Sequence, residues 1–148
     1  MVALPTPPRS GCPINFGLEL FGDSFSLLIL RDVLMQGKRR FSEFLASEEG
    51  IATNILTARL QRLEQAGLLN RTRASGDRRL VIYSPTEAAI ALIPALVELA
   101  FWGATHDSAT AAPAAFVEGY RGDRAALIAQ MTAMARRMMA DQPADDAG

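Results

Sequence analysis

The residues best equipped for chemistry lie between Lys38 and Arg79. Thr53, Asn54, Thr57 and Ala58 recur at the spacing of one helical face. An Asn amide bonds adenine bidentately, and an Ala or Thr methyl can touch the methyl of thymine. Those base edges are distinguishable in the major groove of duplex DNA, which admits a helix. The same window holds nine of the chain's 15 Lys and Arg, against five acids, although the net charge is only −1. The basic excess is therefore local. Arg59 and Arg62, on the same helix, suit phosphates. Lys38, Arg39 and Arg40 precede a short helix and suit a clamp on the flanking backbone. Arg78 and Arg79 follow a turn, where arginine enters or borders a minor groove.

Positioning these side chains requires a particular run of elements. Phe41 to Ala46 predicts a short helix, with Ser42 as cap and Phe41, Phe44 and Leu45 facing inward. Glu48-Glu49-Gly50 makes a turn. Thr53 is placed to cap a helix running to Ala66, with Leu56, Leu60 and Leu63 as its inner stripe and Gly67 as its stop. Leu68–Arg73 and Leu80–Ser84 read as strands around the turn residues Ser75-Gly76-Asp77. Helix, turn, helix and basic hairpin make a winged helix-turn-helix.

The remaining segments read as support. Residues 1–11 are proline-rich and predict a flexible arm. Ile14–Phe21 predicts a helix apolar on two sides, and Phe25–Met35 a central core helix capped by Asp23 or Ser24. Residues 85–102 predict one long helix. Ile90, Ile93, Val97 and Ala100 form a heptad-like seam on it, while Leu92, Leu96 and Leu99 form a second face. A chain this small has little with which to cover both. A homodimer using Ile14, Leu18, Phe21, Ile93, Leu96, Val97 and Ala100 would do so. A last helix is expected over about 123–140, with Leu127, Met131, Met134 and Met138 at helical spacing, as core or as a pocket lining. The acidic, proline-containing end is expected to fray.

Composition narrows the classes. One cysteine excludes an internal disulfide and a multi-cysteine metal site, and fits a reducing, cytoplasmic setting. The first residues lack the apolar core of a secretory signal. The apolar run 88–103 carries Pro94 and Glu98 and reads as a buried helix, with no membrane span. His106 is the only histidine and is expected in an exposed loop. Phe101 and Trp102 are expected to pack the helix end. No phosphate loop, metal-ligand cluster or nucleophile–base spacing points to an enzyme, and no cofactor is implied.

The chain resembles the HxlR-type winged-helix transcription regulators, relatives of the MarR group. The resemblance is carried by Cys12-Pro13, the run Leu27 to Asp32, Arg40 to Phe44, Gly50 to Leu60, Leu63 to Leu68, Tyr83 to Glu87, and Trp102-Gly103. It covers residues 12 to 104. Phe25-Ser26 stands where the family has Trp-Thr, Ala52 where it often has Ser, Pro85 where it has Leu and Ala89 where it has Gly. The resemblance implies a homodimer on double-stranded DNA reading a palindromic operator. It also allows a small-molecule or oxidant effector, with Cys12 as a thiol sensor. The alternative for Cys12 is a small buried residue at the dimer seam. The alternative for the whole chain is an effector- or protein-binding winged helix without DNA affinity.

The expected architecture is thus mainly α with a small β-wing. Residues 12–104 form the winged helix, including the dimerisation helix over 85–102, and 105–148 form an extension with one helix.

Overall fold

A computed structural model describes residues 1–140. The elements are α1 (Pro13–Phe21), α2 (Ser26–Met35), α3 (Phe41–Leu45), α4 (Thr53–Gln65), β1 (Leu69–Ala74), β2 (Asp77–Pro85), α5 (Glu87–Ile90), α6 (Ile93–His106) and α7 (Ala114–Ala140). The fold is mainly helical with a two-stranded antiparallel sheet, as expected. The segment 141–148, expected to fray, lies outside the described residues.

One core runs through the molecule. Ile29, Leu30, Val33 and Leu34 of α2 meet Phe44 of α3, and Leu56, Leu60 and Leu63 of α4, all with almost no exposure. The leucine stripe of α4 is the expected one. Leu45 of α3, expected inside, is exposed. Gly67 takes φ +81° at the end of α4, a left-handed step that glycine makes without strain. Leu69 then enters β1, which pairs with β2 from Leu69↔Pro85 to Arg73↔Val81 before a bulge.

Two predicted helices have other boundaries. The helix expected over 85–102 is broken at Ala91-Leu92 and runs on to His106. Pro94 has no N–H to give the Ile90 carbonyl, so α6 restarts with the proline in its first turn. The tail helix begins at Ala114, just after Pro113, not near 123. Asp123 is a kink (φ −151°, ψ 88°), and its Oδ1 accepts the Ala126 N–H at 2.9 Å. The expected start of the helix is thus the cap of its second half. The N-terminal segment, expected as a flexible arm, makes contacts with the body. Val2 and Leu4 pack on the core, and the Ala3 N–H donates to the Ala66 carbonyl at 3.2 Å.

The extra length of α7 matters for the faces of α6. α7 packs along α6, α2, α5 and β2. Phe101 stacks on Tyr120 with ring centroids 3.7 Å apart, and the Tyr120 hydroxyl donates to Glu98 Oε2 at 2.8 Å. Arg136 pairs with Glu87 at 3.2 Å. Leu127, Met131 and Met138 pack on the core, while Met134 is exposed, so three of the four residues of this stripe are core contacts. Ile93, Leu96 and Val97, expected at a dimer seam, are buried inside their own chain. Phe21 is half-buried.

Candidate nucleic-acid interface

α3 and α4 are joined by a turn spanning 46–52, in which Gly50 takes φ +64°. Thr53, Asn54, Thr57 and Ala58 are all exposed along one face of α4, while the opposite leucines are buried. Ala58 adds only a methyl, and the Thr57 hydroxyl donates back to the Thr53 carbonyl at 2.8 Å. Thr57 therefore offers its methyl outward more readily than its proton. Gln61 extends the exposed face by a turn.

The caps differ from expectation. The N-cap of α4 is Ala52, not Thr53, and its methyl cannot accept the first N–H groups of that helix, which find no side-chain cap among the described residues. A phosphate is a natural partner for such groups. At α3 the cap is Arg40, not Ser42. Glu43 Oε2 accepts the N–H groups of Arg39 and Arg40 at 2.7 and 2.8 Å. The Arg39 N–H, followed by that of Arg40, holds the Glu43 carboxyl below the usual carboxylate range.

The basic residues divide into two sets. Arg78 and Arg79 are exposed near the wing tip, and Arg40 is exposed at the start of α3. Arg71 and Arg73, absent from the expected contacts, are on β1 and add to the wing's charge, Arg71 and Arg73 both being exposed. Their two-residue spacing in a strand puts them on one face. The other four turn inward. Lys38 Nζ lies 3.1 Å from Asp32 Oδ2 and donates to Ser47 Oγ at 2.7 Å. Arg39 donates to the Met138 carbonyl of α7. Arg59 pairs with Asp23 at 3.0 Å, and Arg62 donates to the Glu19 carbonyl. All four are expected on phosphates from the sequence. Within the single chain they fasten α4 and the α2–α3 loop to the body.

Asp23 does two jobs. Its Oδ1 accepts the N–H groups of Phe25 and Ser26, each at 2.9 Å, and so caps α2, while Arg59 ties it to α4. Burial pushes this carboxyl up. The Ser26 hydroxyl, the two N–H groups and Arg59 outweigh that and hold it low.

Cys12 is exposed at the N-cap of α1 within the single chain. Arg9, its basic neighbour in sequence, pairs with Glu19 at 2.6 Å. His106 ends α6, exposed, with its ring stacked 4.6 Å from that of Trp102. Trp102, expected to pack the helix end, is 61% exposed. Among the described residues, no three His, Cys, Asp or Glu are grouped to hold a metal ion.

Known proteins share this arrangement. The family described as HxlR-like helix-turn-helix matches residues 20–110. The chain is 31% identical over 97 residues to YybR, an uncharacterized HTH-type transcriptional regulator of Bacillus subtilis, covering 66% of this chain and 77% of YybR. It is 40% identical over 93 residues to Rv3095, another uncharacterized HTH-type regulator, from Mycobacterium tuberculosis. That match covers 63% of this chain but only 58% of the relative, so under two thirds of the relative is spanned. The solved structure of the redox regulator HypR in its reduced form aligns with TM-score 0.58 at 29% identity. It covers 64% of this chain and 92% of HypR. The α7 helix begins beyond the family match. With its helix-turn-helix and β-wing, this chain belongs to the HxlR-like helix-turn-helix family.

Proposed function

We propose that the chain is a homodimeric transcription regulator that reads a palindromic DNA operator. The observation that carries this is the exposed stripe Thr53, Asn54, Thr57 and Ala58, on a helix whose other face is fully buried. A helix held that way enters the major groove with its N-terminal residues at the base edges. The uncapped N–H groups of α4 and the exposed Arg40, Arg71, Arg73, Arg78 and Arg79 supply the phosphate attraction.

Two reading heads separated by about 34–36 Å reach successive major grooves on one side of the duplex. Apolar side chains left exposed support pairing through α1 and the outer face of α6. Ile14 is 73% exposed, Leu18 53% and Leu99 54%. Cys12, the N-cap of α1, is next to this surface in sequence and accessible to an oxidant. HypR is named a redox regulator. The reading therefore gives Cys12 the sensing role, its oxidation altering the α1 contact and so the operator affinity.

The test is retention of a duplex taken from beside the chain's own gene, with and without oxidant. Wild type should retain it in preference to a scrambled duplex, and oxidant should change retention. Cys12→Ser should bind alike in both conditions. Equal binding to the two duplexes would reject the operator reading. An oxidant response surviving Cys12→Ser would reject only the sensor.

A further inference from the structure

We propose that Asp32 is a positioning residue of the reading head, keying the turn ahead of α4 to the core helix α2. The inference rests on the regulator reading above. Asp32 is buried near the C-terminal end of α2. Its Oδ2 accepts the Ser47 hydroxyl at 2.5 Å and the Lys38 ammonium at 3.1 Å, and Lys38 also donates to Ser47. Its Oδ1 accepts Arg31 Nε at 3.0 Å and Nη2 at 2.7 Å. The same guanidinium grips Glu49 with two bonds, at 2.5 and 3.1 Å. Ser47 and Glu49 both lie in the turn between α3 and α4. Two adjacent residues of α2 therefore hold that turn at two points, three and one residues before Gly50.

Energetics separate registry from bulk stability. Burying a carboxylate costs several kcal/mol, and pairing typically only offsets it; packed apolar side chains of similar volume would often be as stable or better. The attested use of such a buried cluster is to fix one arrangement among several. Here the arrangement concerns where α4 begins relative to the core. Thr53 and Asn54, in its first turn, need placement to within about 0.5 Å to meet base edges. Lys38, which the sequence offers as a backbone clamp, is spent on this bracket together with Arg31.

The experiment compares specific with non-specific duplex binding for wild type, Asp32→Asn and Ser47→Ala, with melting temperature beside each. Asp32→Asn should lower specific affinity by about tenfold, the size of one lost base contact, and leave non-specific affinity within about twofold. Ser47→Ala keeps Asp32 paired to Lys38 and Arg31, so it should fold and show the same loss in milder form. Hydrogen exchange of the DNA-free protein at 46–52 should quicken in both. A specific-to-non-specific ratio and an exchange pattern unchanged in Ser47→Ala would overturn the proposal. So would equal losses in both kinds of binding. If wild type itself shows no sequence preference, the regulator reading falls. The exchange at 46–52 then still decides whether Asp32 holds the turn.

Discussion

Ion pairs and hydrogen bonds to carbonyls sort the basic side chains of the helix-turn-helix and wing into an inward set and an outward set. Lys38, Arg39, Arg59 and Arg62 are taken by Asp32, the Met138 carbonyl, Asp23 and the Glu19 carbonyl. Arg78 and Arg79 stay exposed. The two sets should differ in a salt titration of duplex binding. Arg79→Ala should flatten the slope of log affinity against log salt by about one, alike on every sequence. Lys38→Met should leave that slope as it is in wild type. Asn54→Ala should act differently again, costing about 1–3 kcal/mol on the best site and relaxing preference at one base position. The carboxylates give a pH signature. The Arg31 side chain, bonded to Glu49, holds that carboxyl below its ordinary 4.5. A depressed carboxylate contributes stability that is complete above the unfolded value and lost as pH falls through the folded one. Melting temperature should therefore fall on acidification below about pH 4.5. The gap between wild type and Glu49→Gln should close over that range, and a constant gap would show that the pair contributes nothing.

At the scale of elements, the recognition helix is legible in the sequence because its signals are local. Leu56, Leu60 and Leu63 repeat with the helical period, and all three are buried. The wing is legible from its turn residues. Partners distant in the chain are not. Arg62 meets Glu19 across 43 residues, and Arg39 meets Met138 across 99. No spacing rule links such pairs, so these arginines look in sequence like a solvated or phosphate-binding face. The break at Ala91-Leu92 has its sign in Pro94, but the apolar seam on either side hides it. The first half of α7 escapes a reading of the sequence because Gly119 and Gly122 dilute its pattern. Without that half, α6 looks uncovered, and Ile93 and Val97 fall at a dimer seam. The turn before α4 offers a clean test of element geometry. Gly50 sits at φ +64°, and a Cβ added there would meet no atom within 4 Å. Gly50→Ala should therefore cost stability through backbone strain alone, about 1–2 kcal/mol by denaturant midpoint. No loss would mean the turn relaxes freely.

For the whole molecule, the proposed palindromic operator would take two copies, one for each half-site. With α7 covering the inner face of α6, the exposed apolar side chains of α1 and of the outer face of α6 are what a second copy would bury. Leu18→Glu should give a monomer in sedimentation and weaken operator binding by about tenfold or more, since the second head no longer binds at high effective concentration. A dimer that persists unchanged would move the interface elsewhere. Selecting bound duplexes from a random pool decides whether α4 and the wing of two copies read duplex sequence together. An inverted repeat with half-site centres about 10 base pairs apart, or a multiple of that, should be enriched, and the enrichment should be lost in Asn54→Ala. A pool that stays random after repeated rounds in dilute buffer would contradict such paired reading.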